Sequence, residues 1–159
     1  MRTKKYEFVE DDQIFYFGLR LRRIRALRDI PNVRIGDLGG YLQHDQNLSH
    51  EGNCWVSMGA AVLGNARVSE DARIWDQAMV GGYARVLGQA RVVDQSRVHG
   101  YARILGEAAI YGCAVIRGYA VISGTTEIGG EARVSAQQPQ RGWVHPRLVK
   151  PEFLLPTLK

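Results

Sequence analysis

A chain of 159 residues, 45% hydrophobic and 23% charged, has room for one folded domain with appendages. It holds no apolar run of the ~20 residues that a membrane helix needs, and Met1-Arg2-Thr3-Lys4-Lys5 does not read as a secretory leader, so a cytoplasmic protein without a membrane partner is expected. The net charge of +5 is uneven: residues 1–34 hold nine basic and five acidic side chains, residues 35–136 eight and ten, and residues 137–159 four and one. Basic ends on a slightly acidic body suit an anionic partner, or are an ordinary solvated surface.

Residues 5–28 alternate as strands do, with Tyr6 and Phe8 followed by Phe15, Phe17, Leu19 and Leu21. Asp11-Asp12-Gln13 is the predicted hairpin turn between them. The phase shifts at Arg22-Arg23, because Ile24 and Ala26 take the other parity, which predicts a bulge or a strand end. Arg20, Arg22, Arg23 and Arg25 make this stretch a candidate basic patch.

From Val56 to Val134 an aliphatic residue recurs every six positions, fourteen times without a slip. A small residue stands two places before each, as in Ala60, Ala66 and Ala72, and glycine often stands two places after, as in Gly64, Gly82 and Gly88. A fixed short period means a solenoid, in which a repeat buries its apolar face only by stacking on its neighbours. Positions i and i−2 share a parity and point inward, while i−1 and i+1 point out. A second period of eighteen, seen in Gly82-Tyr83-Ala84, Gly100-Tyr101-Ala102 and Gly118-Tyr119-Ala120, assigns three hexads to each coil.

The repeat therefore divides the chain into an N-terminal β cap (residues 1–52), a β-helix (53–136) and a tail (137–159). The tail holds Pro139, Pro146, Pro151 and Pro156. These exclude regular structure there and leave a packed strap or a partner-binding segment. Cys54 and Cys113 fall about three coils apart, roughly 14 Å at the strand spacing, which is beyond the ~7 Å reach of a disulfide. Free thiols are expected, and no metal site is predicted because neither cysteine has zinc-site neighbours.

The hexad resembles the left-handed parallel β-helix of the hexapeptide-repeat proteins, an all-β fold. Ile24-Arg25-Ala26-Leu27-Arg28-Asp29, Gly36-Asp37-Leu38-Gly39-Gly40-Tyr41 and the stretch from Asn47 to Val56 are similar to the N-terminal cap of phage- and prophage-associated members, many of them described as acyltransferases. The resemblance implies a homotrimer. For an acyltransferase it also implies acetyl-coenzyme A as cofactor and a histidine base in a cleft between subunits.

Function has to lie on outward positions. Trp75, Val93 and Tyr111 form one apolar stripe, the expected oligomer interface. Arg67, Arg85 and Arg103 form a ladder beside a corner that stacks Tyr83, Tyr101 and Tyr119, a candidate surface for an anionic ligand or partner. Of His44, His50, His99 and His145, His99 projects outward in mid-solenoid near Arg97 and Arg117 and is the candidate base. No coil is interrupted by a pocket-forming loop, and no catalytic residue is otherwise marked. The body carries too few Lys and Arg to favour direct nucleic-acid binding. The first reading is a non-enzymatic binding or scaffold protein without a cofactor, acting on a host macromolecule, such as a component of host defence. An acyltransferase using His99 and a binder of an anionic small molecule such as a nucleotide stay open.

Overall fold

The computed structural model describes residues 3–138. Among these, regular structure is strand except for one 3-10 turn at Asp45–Asn47. Fourteen short strands, from Trp55–Val56 to Arg133–Ala136, follow the hexad one for one. In each, the aliphatic residue points inward and its predecessor points out.

The strands stack as three parallel faces. The first holds Trp55–Val56, Arg73–Ile74, Arg91–Val92, Ala109–Ile110 and Glu127–Ile128. The second holds Ala61–Val62, Met79–Val80, Arg97–Val98, Val115–Gly118 and Arg133–Ala136, and the third Arg67–Val68, Arg85–Val86, Arg103–Ile104 and Val121–Ile122. Register is eighteen throughout, as in Arg91 against Ala109 and Val92 against Ile110. This is the parallel β-helix that the repeat predicts.

Interior and corners follow from residue size. Ile74, Ile104, Ile110, Ile116 and Ile122 are fully buried, as are Ala66, Ala72, Ala84, Ala90 and Ala102 at the small position. Ser96 takes that position once, and its hydroxyl donates to the Val93 carbonyl at 2.6 Å. At the corners, Gly82, Gly100 and Gly118 lie at φ +63°, +70° and +65°, the left-handed region that glycine enters freely. Where the same place is not glycine, Glu70, Asp76 and Asp94 adopt φ +59°. Each of these carboxylates accepts a backbone N–H from the next coil: Gly88 N to Glu70 at 3.0 Å, Asp94 N to Asp76 at 3.1 Å, and Gly112 N to Asp94 at 2.8 Å.

The cap is an antiparallel hairpin of β1 (Tyr6–Tyr16) and β2 (Leu19–Ala26), joined through β3 (Leu38–Leu42) to the second face as one eight-stranded sheet. Its turn is Phe17-Gly18, at φ +49° and +80°, and not Asp11-Asp12-Gln13. The acidic stretch stays in strand because a register shift between Phe8 and Gln13 absorbs it, and because Asp12 is held by Arg23 at 2.7 Å. The predicted irregularity after Arg22 is present as a shift between Arg23 and Arg25. It lets Leu21 pack against Ala61 and Leu63 outside the second face, while Ile24 and Ala26 join the interior core.

Two more rungs precede Val56. Leu42 pairs with Val62 and Leu48 bridges to Val68, both fully buried. Both spacings are twenty, so two extra residues lie between Leu48 and Val56, and the hexad search loses phase there. Tyr6, Ile24, Ile30 and Val33 belong to the same core cluster as the rungs and close the end of the solenoid. The proline-rich tail, with His145, falls outside the described residues apart from Gln137 and Gln138.

Corner geometry gives a test. A Cβ on Gly106 would sit 2.8 Å from Gly124 N, whereas one on Gly124 meets nothing within 4 Å. Gly124→Ala should therefore cost only the left-handed penalty of about 1–2 kcal/mol, and Gly106→Ala measurably more, as read from denaturant midpoints.

Candidate functional site

The surface richest in recognition chemistry is the corner between the second and third faces. Tyr83, Tyr101 and Tyr119 follow left-handed glycines at eighteen-residue intervals, so their rings stack with centroids 4.9 and 4.7 Å apart and planes within 5°. That separation is the strand spacing itself. On the third-face side stand Arg67, Arg85 and Arg103, paired rung to rung. Arg85 turns back on the corner, where its Nη1 donates to the carbonyls of Asn65 at 2.9 Å and of Tyr83 and Ala84 at 3.3 Å.

On the second-face side stand His99 and Arg117, one coil apart, with Arg97 beside His99. Among the described residues the ion pairs lie in the cap, and these rung arginines have no carboxylate partner. The corner is thus an aromatic strip with unpaired cations on both flanks. The ladder and the tyrosines are separate from His99 in the sequence pattern, and the coil order brings them together.

His99 is exposed, yet burial of part of its ring, then Arg117, then Arg97, pull its pKa below the ordinary range. An imidazole so placed stays neutral at physiological pH and can accept a proton. His50 cannot take that role, because Lys5 N donates to its Nδ1 at 3.0 Å and its Nε2 meets Asp45 at 2.9 Å. His44 sits exposed before the 3-10 turn.

Trp75, Val93 and Tyr111 line the first face as a partly exposed stripe, with Arg91 and Glu127 beside them around a groove of about 350 Å³. Tyr111 lies flat over Gly129, where a side chain would collide with its ring. A larger groove of about 620 Å³ follows the corner between the first and second faces and includes Asp76, Gln77, Asp94 and Gln95. It is a different corner from the one His99 borders, and its aspartates already hold backbone N–H groups.

The basic stretch of the cap is spent largely within the molecule. Arg23 pairs with Asp12 and donates to Gly39 O at 2.9 Å and the Tyr41 hydroxyl at 2.8 Å. Arg25 grips Glu7 through two bonds, Arg20 donates to Gln13, and Arg22 lies 3.8 Å over the Phe8 ring. Asp12 is held below the usual carboxylate range, first by the Tyr41 hydroxyl and then by Arg23. Among the described residues no group of three His, Cys, Asp or Glu could hold a metal ion, and no helix is long and apolar enough to cross a membrane.

A hexad repeat carried on three parallel faces decides the kind of protein. The chain is a hexapeptide-repeat β-helix protein. No family model matches it. An uncharacterized acetyltransferase of Escherichia coli, YdcK, is 30% identical over an 88-residue alignment that covers 46% of this chain. The β-helix chain spans 27% of that relative's length.

Charge at His99 is open to direct measurement. By NMR its imidazole should titrate below the ordinary ~6.5, and Arg117→Ala should move it back up. The sign for stability follows, since the unfolded chain binds this proton first as pH falls below about 6.5. His99 therefore draws stability down over that acid window, and Arg117→Ala should shallow the slope.

Proposed function

We propose that this β-helix transfers an acyl group from a nucleotide-bearing thioester of the coenzyme A class, with His99 as general base. The observation that carries the reading is a histidine flanked by two arginines that have no carboxylate partner among the described residues, beside an aromatic strip. In that role His99 takes the proton of an acceptor hydroxyl or amine, which attacks the thioester carbonyl and expels the thiol. Arg97 and Arg117 attract the donor's phosphates, and the tyrosines offer ring edges and faces to its base. The similarity to an acetyltransferase supports the same chemistry.

The test is ligand-dependent stability followed by turnover. Saturating acetyl-coenzyme A or coenzyme A, at about a hundred times its dissociation constant, should stabilise the protein by about 2.7 kcal/mol. His99→Ala should keep that shift and lose about 10²–10⁴-fold in transfer rate. A shift with free nucleotides alone would move the reading to an anionic small-molecule binder.

A second reading, a non-enzymatic scaffold of phage origin acting on a host macromolecule, is favoured by the unbroken run of rungs from Trp55 to Ala136. No inserted loop walls off a substrate there. Absence of any coenzyme A shift, with a partner retained on purification, is its expected signature.

Self-association belongs to the same proposal. The Trp75, Val93 and Tyr111 stripe is the contact of a homotrimer. Light scattering should give a trimer for the wild type and a monomer for Val93→Glu. A monomeric wild type would remove this part of the reading.

A further inference from the structure

Away from the tyrosine corner lies a group of buried reactive side chains that acyl transfer does not use. Lys5 and Cys54 are both fully buried. Lys5 Nζ donates to the Cys54 carbonyl at 2.7 Å, to those of Gly52 and Glu51 at 3.3 and 3.4 Å, and lies 3.1 Å from Cys54 Sγ. The Sγ otherwise faces the carbonyls of Ser49, Glu51 and Val68 at 3.5–3.7 Å. Among the described residues no carboxylate bonds the Lys5 amine. Arg28 and Arg73 are the nearby cations.

Their contact is held from both sides. Lys5 N donates to His50 Nδ1, the His50 ring stacks on Tyr6 at 4.1 Å, and the Tyr6 hydroxyl donates to Asp45 O at 2.6 Å and Leu48 O at 2.8 Å. Burial lowers the Lys5 pKa and raises that of Cys54, with each group the chief opposing influence on the other. Both shifts favour the uncharged amine and the uncharged thiol. A lysine amine against a thiol, with Asp45 engaged by His50 among the described residues, is an unusual way to end a solenoid, since an apolar pair would fill the space without desolvating a cation.

We propose that Lys5 and Cys54 form a covalent modification site, at which dioxygen closes an N–O–S bridge between the two side chains. One oxygen atom enters between Nζ and Sγ. The other takes the thiol hydrogen and one amine hydrogen and leaves as water. Nitrogen and sulfur each give up two electrons, the four that reduce dioxygen. From a separation of 3.1 Å, a bridge through oxygen needs a smaller approach than a direct N–S bond. The product ties the start of the cap to the residue before the Trp55–Val56 strand across 49 positions, and constrains the unfolded chain as a disulfide does. Thiol reductants reopen it. Cys113 is exposed, has no lysine bonded to it among the described residues, and serves as the internal comparison.

The experiment is mass spectrometry of the full chain, purified without oxygen and then held in air-saturated buffer. The wild type should gain one oxygen and lose two hydrogens, and the peptides holding Lys5 and Cys54 should run as one species that dithiothreitol separates. Its melting temperature should be higher bridged than reduced. Cys113→Ser should leave the product intact and Cys54→Ser should abolish it. Separate peptides after air exposure, Cys54 oxidised to sulfinic acid with Lys5 free, or a cross-link lacking the added oxygen would each overturn the proposal. The decisive readout is on the unmutated protein, so the folding of variants does not enter.

Discussion

Each coil of this protein rests on the backbone of the next, and the hydrogen bonds between them fix every dimension that matters for its surface. The N–H of His99 meets the carbonyl of Ile116 at 2.9 Å, Tyr101 meets Gly118 at 2.8 Å, and the pattern runs from rung to rung. At the corners this closeness leaves no room for a Cβ on the inner side of the bend, as at Gly100, where one would lie 2.7 Å from Gly118 N. The hexad is thus two demands in one, an aliphatic group to fill the prism and a left-handed residue to turn it. Where glycine is absent, the acidic residues that take its place recover part of the left-handed cost by bonding the next coil.

A ladder that rigid copies whatever it carries. Outward residues eighteen apart are held at one strand spacing, so a single tyrosine per coil becomes a stack of parallel rings and a single arginine becomes a column of like charge. Such a column stays open to an anion, because the rungs offer it no carboxylate. The function proposed here depends on that copying: His99 has its proton affinity lowered by partial burial, then by Arg117 one coil on and Arg97 on its own rung. The exposed tyrosine strip next to it exists only because the corner repeats.

The cap solves a different problem. A stack of coils has an open end with unpaired backbone and a bare apolar interior, and the cap covers both: its hairpin continues the second face, and Tyr6, Ile24, Ile30 and Val33 lie over the core. Arg23 and Arg25 serve this docking through Asp12, Gly39 and Glu7, which withdraws their charge from any external partner. At the hairpin's far end Phe15 and Phe17 remain 66% and 88% exposed.

The repeat alone was enough to specify the β-helix, the inward and outward sets and the three faces, because every one of those features depends on residue spacing and a two-residue alternation. The Trp75 stripe, the tyrosine stack and the outward position of His99 were legible for the same reason. Other features needed the folded chain. The rungs at Leu42 and Leu48 were hidden by two extra residues, since periodicity carries no information across a phase slip. The hairpin turn fell at Phe17-Gly18 because pairing across the strands, not local polarity, chose where the chain reversed. The Lys5, His50 and Cys54 cluster joins Lys5 to residues 45 and 49 positions away, and no spacing rule connects the start of the cap to the rung it docks on. Short-range order is written in the period; contact between segments of different period is decided only by packing.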